Sequence, residues 1–84
     1  HPGHLMITRN AKDALPHVEV DAAIKRHLQG DWGDVCPSDW QLNEDALKQG
    51  GRLLSVYHTQ DKVKFWIITE ADYSATTVLL PSDY

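Results

Sequence analysis

The C-terminal half contains the three side-chain types of a hydrolase triad, in Ser74, His58 and Asp72. The members of a triad must lie within hydrogen-bond reach of one another. If residues 59–62 form a turn, His58 lies opposite Val63, the first residue of the next strand, whereas Asp72 and Ser74 follow the far end of that strand. A strand of that length separates the two ends by about 20 Å. The triad is therefore rejected, and no catalytic residue is assigned.

A second polar group, made of Arg52, Glu70 and Asp72, is predicted to meet at one end of a sheet. In one interpretation Arg52 holds a phosphate while a carboxylate transfers a proton, as in a small enzyme acting on RNA or a nucleotide. In the other, Arg52 and Glu70 form a cross-strand ion pair beside a turn that Asp72 stabilises. The second is favoured, because the spacing fixes no nucleophile or second base.

Metal binding is not predicted from the sequence. The residues His17, His27, His58 and Cys36 do not have the spacing of a zinc site, and the acidic residues between the helices do not fit a calcium loop. His27, near the predicted end of a helix, is explained more simply as a partner of the helix dipole. We expect neither a metal nor a cofactor.

The acidic residues are concentrated in one segment of the chain. Residues 28–47, here called the acidic segment, contain Asp31, Asp34, Asp39, Glu44 and Asp45 and no Lys or Arg, whereas the whole chain has a net charge of -4. Such a segment can attract a basic protein or imitate the charge of nucleic acid, or it can simply be a solvated face with acids at helix starts. Nucleic acid is an improbable ligand for it.

Trp32 lies between two Gly and two Asp residues, where a large apolar ring has few local neighbours. Two interpretations remain open. Trp32 either folds back over the sheet together with Trp40 or serves as the anchor of an interface with another protein.

The first half of the chain is predicted to contain a short strand and a helix. The chain begins at His1 rather than at Met, and residues 1–4 are left out of the fold prediction. Residues 5–7 suit a brief strand, followed by a helical turn over residues 11–15 that Pro16 ends. Residues 21–29 have the apolar spacing of a helix, with Gly30 placed to end it.

A second helix is predicted after the linker. Ser38 and Gln41 have the spacing of a capping box, and Gly50 ends the helix. The predicted buried stripe contains Leu42, Ala46 and Leu47, with polar neighbours such as Asn43 facing solvent.

The last third is rich in β-branched and aromatic residues and predicts an antiparallel meander. Its strands are expected over residues 53–58, 63–70 and 76–80, and Pro81 ends the last. The middle strand is apolar on both faces, so it should be central and covered on both sides. The predicted fold is α+β, with two helices on a three- to four-stranded antiparallel sheet.

Length and composition indicate one domain over residues 1–84. Apolar residues make up 42% and charged residues 24% of the chain, which is typical of a soluble globular protein. No apolar run approaches the length of a membrane span, and a cytoplasmic location is expected. A chain this short buries a small core, which favours a homodimer, with the uncovered face of the sheet as the expected contact.

Four sequence stretches, GDWGD, WQLNEDALKQGGR, LSVY and WIITEADYSATTVLLPSDY, occur in this order from Gly30 onward. In this combination the chain resembles small bacterial proteins carried on plasmids and integron-type gene cassettes. The resemblance implies a mobile-element setting and carries over no activity or catalytic residue.

These observations favour a noncatalytic protein-binding module that uses the acidic segment and Trp32 to engage a basic partner. Its proposed contact residues are Asp31, Asp34 and Glu44. The alternative is the small enzyme at the Arg52, Glu70 and Asp72 end of the sheet.

Overall fold

Three α-helices and four strands form the part of the chain, residues 3–84, that the computed structural model describes. In chain order they are β1 (His4–Ile7), α1 (Arg9–Ala14), α2 (His17–Leu28), α3 (Pro37–Gln49), β2 (Leu53–His58), β3 (Lys64–Thr69) and β4 (Ala75–Leu79), followed by a 3-10 turn (Pro81–Asp83). The α+β prediction is confirmed. His1 and Pro2 lie outside the described residues.

The sheet has the order β1-β4-β3-β2. Strands β2, β3 and β4 form the expected antiparallel meander, whereas β1 pairs parallel with β4. The prediction of a wholly antiparallel sheet was therefore wrong at this edge. Three helices and two strands separate β1 from β4 along the chain, and so long a connection lets both strands run the same way.

The helices cover one face of the sheet. Phe65, Ile67 and Val78 are almost completely buried there, and they pack with Ala11, Val20 and other apolar side chains of α1 and α2. These strand residues alternate with side chains on the opposite face, as a pleated strand requires.

The opposite face is partly covered by the C-terminal segment of the same chain. The ring of Tyr84 meets the edge of Trp66 at 5.6 Å between centroids, and Asp83 accepts hydrogen bonds from Thr8 and Asn10 at 2.6 and 2.8 Å. The central strand β3 is thus covered on both sides. Part of the face expected to receive a second copy is already occupied.

The two helix predictions needed different corrections. Helix α2 begins at His17 rather than Asp21, directly after Pro16. The predicted capping box of Ser38 was wrong, because the N-cap is Cys36 and α3 begins two residues earlier than predicted, at Pro37, whose fixed φ suits the first helical position.

The buried stripe of α3 also differs from the prediction. Asn43 and Ala46 are buried, whereas Leu42 and Leu47 are 63% and 50% exposed. The Asn43 amide donates to the carbonyl oxygen of Leu54 at 2.7 Å and accepts from its N–H at 3.1 Å. Asn43 therefore satisfies the outer edge of β2, which is why a polar residue occupies the buried position.

Candidate functional site

A buried histidine connects α2 to the sheet. The His27 side chain is 3% exposed, its Nδ1 lies 2.5 Å from Ser55 Oγ, and its Nε2 lies 2.8 Å from Thr69 Oγ1. Thr69 Oγ1 is in turn 2.8 Å from Thr76 Oγ1. The four side chains form a hydrogen-bonded chain across β2, β3 and β4, here called the His27 network.

Burial determines the charge of this network. Desolvation lowers the pKa of His27 from 6.5 to about 4, so the imidazole is neutral at physiological pH. A neutral imidazole has one donor and one acceptor nitrogen, which the hydroxyls of Ser55 and Thr69 can satisfy. The network is therefore a neutral polar connection within the core.

A cleft of about 330 Å³ opens beside this network, between α2, α3 and the end of the sheet. Its main lining side chains are His27, Leu28, Trp32, Leu47, Leu53 and Tyr73, with Gln29, Gly30 and Thr69 completing the wall. We call it the His27 cleft. Leu28, Leu47 and Tyr73 are 51%, 50% and 37% exposed, so the mouth of the cleft is apolar and open to solvent.

Tyr73 contributes to this wall from an unfavourable backbone conformation. Its φ is +57°, in the left-handed region, within the turn between β3 and β4. A side chain with a Cβ atom costs about 1–2 kcal/mol in this region. Strain of this kind is concentrated at functional sites, where the surrounding structure maintains it.

Trp32 folds back into the protein, which is the first of its two sequence interpretations. It is 1% exposed and packs with Ala46, Leu53 and Val35 rather than with Trp40. Its indole N–H donates to Glu44 Oε2 at 2.8 Å. Trp32 therefore forms the base of the His27 cleft instead of projecting from the surface, and Glu44 fixes its orientation.

The two acids of the linker also have internal partners. The Arg26 guanidinium donates to both carboxylate oxygens of Asp31, at 2.8 and 3.2 Å, and this contact lowers the pKa of Asp31. Asp34 Oδ2 lies 2.7 Å from Nδ1 of His58. Together with the Tyr57 hydroxyl, which donates to the carbonyl oxygen of Asp31 at 2.6 Å, these contacts hold the linker against β2.

Arg52, Glu70 and Asp72 lie at the predicted end of the sheet but do not form one site. Arg52 donates to the hydroxyl of Tyr84 at 2.7 Å and lies over its ring. Within residues 3–84 it forms no ion pair with Glu70. The Asp72 carboxylate accepts from the N–H of Ser74 at 3.0 Å, and hydrogen bonds from Ser74 lower its pKa. Asp72 thus stabilises its turn, as the simpler interpretation expected, whereas the cross-strand ion pair that this interpretation also predicted does not form within residues 3–84.

Among the described residues, no three His, Cys, Asp or Glu side chains are grouped so that they could hold a metal ion. No helix in that part of the chain has the length and apolar character needed to cross a membrane. Comparison of the chain with protein-family models, curated proteins and solved structures finds no match.

Sequence reasoning missed the part played by His27. The signal was its place in the helix, since Val20, Ala23 and His27 recur at intervals of three and four and all three are buried. The charges of Lys25 and Arg26 beside it made the dipole interpretation attractive. The spacing was the better guide.

Proposed function

We propose that the protein is a noncatalytic interaction module that holds an apolar side chain of a basic protein partner in the His27 cleft. The proposal keeps the mobile-element setting, the cytoplasmic location and the homodimer inferred from the sequence. The observation that carries it is the cleft itself. An open pocket floored by a fixed tryptophan and walled by exposed leucines suits an anchor side chain.

The polar groups of the cleft favour binding over catalysis. Both ring nitrogens of His27 are occupied, by Ser55 and Thr69. Ser55 is completely buried and so offers no accessible nucleophile. A reaction needs an accessible group that can move a proton or attack a substrate, whereas an apolar anchor needs a well-packed wall.

Charge selects the partner. Trp32, at the base of the cleft, donates a hydrogen bond to Glu44, and five of the nine residues that line the cleft lie within residues 28–47. The acidic segment therefore borders the cleft, and Lys or Arg residues beside an apolar anchor would meet opposite charge. The buried ring of Trp32 shapes the cleft for the apolar anchor, and the acidic residues attract the basic residues of the partner.

Selection from a random peptide library on the immobilised protein tests the proposal. We expect enriched peptides that share one large apolar residue flanked by Lys or Arg. Backbone amide shifts of the labelled protein, followed by NMR as a selected peptide is added, should change around residues 27–32, 47, 53 and 69–73. Peptides without the common anchor, or shifts elsewhere, would refute the proposal.

Two variants of one helix provide a matched comparison. Leu47 and Leu42 are both exposed on α3, but only Leu47 lines the His27 cleft. We expect Leu47→Gln to weaken binding of the selected peptide about tenfold or more, because it places an amide against the apolar anchor. Leu42→Gln should leave the affinity unchanged. Equal effects of the two substitutions would exclude the cleft.

The attraction to basic peptides is tested with two acids of α3 that, within residues 3–84, form no hydrogen bond or ion pair outside that helix: Asp39 lies in its first turn, and Asp45 accepts from Gln41, at 3.0 Å. Asp31, Asp34 and Glu44 have internal partners, so neutralising them would disturb the structure. Asp39→Asn together with Asp45→Asn removes the same kind of charge from the acidic segment. We expect slower association and a weaker dependence on salt. Asp13→Asn with Asp61→Asn, an equal charge change outside the segment, is the control.

The alternative proposal, a small enzyme acting on RNA or a nucleotide, has the weaker support. It requires Arg52 to hold an anion beside Glu70 and Asp72, and Arg52 and Asp72 are engaged elsewhere. Arg52→Ala is its test. A folded variant that loses nucleotide or RNA binding shown by the native protein would favour the enzyme over the module.

A further inference from the structure

The two edge strands of the sheet, β2 and β1, differ in how far their outward-facing backbone groups are hydrogen-bonded. At the β2 edge, the Asn43 amide bonds the backbone N–H and C=O of Leu54. The N–H of Val56 donates to the carbonyl oxygen of Trp32 at 3.1 Å, and its own carbonyl oxygen accepts from the N–H of Asp34 at 2.7 Å. At the other edge, β1 is the last strand in the sheet order, and its four residues are all exposed. Strand β1 contains no Lys, Pro or bulge that would block the edge, and its length of four residues is the one usual protection that it has.

The hydrogen bonds of β1 show which backbone groups face outward. On the side that faces β4, the N–H of His4 donates to the carbonyl oxygen of Ser74 at 3.1 Å, and the N–H of Thr8 donates to that of Val78 at 3.0 Å. Because successive residues of a strand alternate, Leu5 and Ile7 direct their N–H and C=O groups away from the sheet. Two residues of β1 can therefore pair with another strand.

The surroundings of this edge are apolar. Leu5, Met6 and Ile7 are 55%, 55% and 40% exposed. A groove of about 220 Å³ runs beside them, lined by β1, by Val20 and Ile24 of α2, and by Val78, with Lys12, His17 and Asp21 as its polar lining. An added strand would cover these side chains as well as the free backbone groups.

Charge identifies the added strand as that of a second copy. The chain carries a net -4, yet in the groove Lys12 balances Asp21, and His17 lies 3.5 Å from the same carboxylate, so this patch meets its own copy without a net negative charge. The acidic segment lies with α3 beside β2, at the opposite edge. In a sheet joined at two β1 edges, the two β2 strands are about 34 Å apart, well beyond the screening length of about 8 Å. This edge thus keeps the acidic segments of the two copies apart.

We propose that β1 pairs antiparallel with β1 of a second copy, forming a continuous eight-stranded sheet in the homodimer. A two-fold axis requires identical contacts on both sides. The axis is placed at Met6, because only there do both outward-facing residues pair: Leu5 then lies opposite Ile7 of the partner subunit as a hydrogen-bonded pair, and Met6 lies opposite its own equivalent. The inference rests on the homodimer of the proposed function and specifies its interface.

Charge substitutions at Met6 test this register. In the proposed pairing the two residues at position 6 face each other, and like charges directly opposite are destabilising. By sedimentation equilibrium we expect Met6→Lys and Met6→Glu each to raise the dimer dissociation constant about tenfold or more. An equimolar mixture of the two variants should recover dimerisation. Val18→Lys, at a position 78% exposed on α2, is the control and should leave the constant unchanged.

Disulfide trapping tests independently whether the two residues at position 6 lie next to each other in the dimer. A non-hydrogen-bonded antiparallel pair has Cα atoms about 4.5 Å apart, within the range that a disulfide bridges. With Cys36→Ser to remove the native thiol, Met6→Cys should form a covalent dimer on mild oxidation much faster than Val18→Cys does. Equal rates would overturn the proposed interface.

The outcomes separate the two proposals. A native protein that is a dimer but responds to none of the Met6 substitutions refutes the β1 interface and leaves the homodimer. A native protein that sediments as a monomer refutes both the β1 interface and the homodimer. Peptide binding in the His27 cleft is measured separately and depends on neither.

Discussion

Acidification should destabilise this protein through His27 before its carboxylates take part. The folded state keeps the imidazole neutral down to a pKa of about 4, whereas the unfolded chain takes up the proton near 6.5. Because the unfolded state binds more protons below pH 6.5, the free energy of unfolding falls as the pH falls. Each pKa unit corresponds to about 1.36 kcal/mol, so the loss between pH 7.5 and 4.5 is about 2–3 kcal/mol.

The carboxylates act in a different window. The pKa values of Asp31, Asp72 and Asp83 are lowered from 3.8 by hydrogen bonds and charge, so their stabilisation is present above that value and is lost below it. Measurements that stop at pH 4.5 therefore isolate His27 from these three acids.

Urea unfolding followed by tryptophan fluorescence at several pH values is the assay. We compare the native protein with His27→Gln, whose amide retains a donor and an acceptor but takes up no proton. The variant should lack the loss of about 2–3 kcal/mol between pH 7.5 and 4.5. His17→Gln, which removes the exposed ring at the other end of α2, serves as the matched variant that shows how much of the loss is specific to His27.

Equal losses in the native protein and in His27→Gln would refute the reasoning. If the variant does not fold, the imidazole proton shift of His27 in the native protein, followed by NMR against pH, decides the same question. A midpoint near 6.5 would show that burial does not perturb the ring.

Three further predictions concern the backbone around the cleft and the β2 edge. Asn43→Leu should lower the free energy of unfolding by about 2 kcal/mol, because buried backbone groups of β2 lose their partner; urea unfolding checks this. Gly33→Ala should be far more destabilising than Gly50→Ala by thermal unfolding, since both have positive φ but only at Gly33 would a Cβ lie 2.1 Å from a carbonyl oxygen. Tyr73→Gly should stabilise the fold by about 1 kcal/mol or less through relief of strain while weakening the selected peptide. Lys62→Gly, with φ of +67° at a turn outside the cleft lining, should stabilise similarly and leave binding unchanged. An unchanged stability of Asn43→Leu, equal losses in the two Gly variants, or equal peptide affinities of Tyr73→Gly and Lys62→Gly would contradict the corresponding argument.

The strands were the most predictable elements because alternation and β-branched residues signal them locally. The bounds of β2 agree with the prediction, and those of β3 and β4 differ by a residue at either end. The parallel pairing of β1 could not be predicted in this way, since nothing in residues 5–7 indicates which strand they will meet. Pairing depends on the path of the helices between β1 and β4.

Helix α3 shows why polarity alone misleads. The sequence placed Leu42 and Leu47 inside and Asn43 outside, and the structure reverses this. An amide is worth burying where a strand edge presents an N–H and a C=O in the right register. That edge exists only once β2 has formed beside α3, so no local pattern could reveal it. His27 is the same case, because Ser55 and Thr69 come from different strands.

The asymmetry of the sheet edges connects the two proposals. The lining of the His27 cleft comes from α2 and the linker after it, from α3, β2 and β3, and from the turn after β3, and none of it from β1. Pairing at β1 would therefore leave both clefts of a dimer accessible, one toward each end of the continuous sheet. A partner with two anchor segments could occupy both, and its second binding event would be intramolecular. Such a partner should bind the native protein more tightly than the monomeric Met6→Lys variant, whereas a single-anchor peptide should bind both equally.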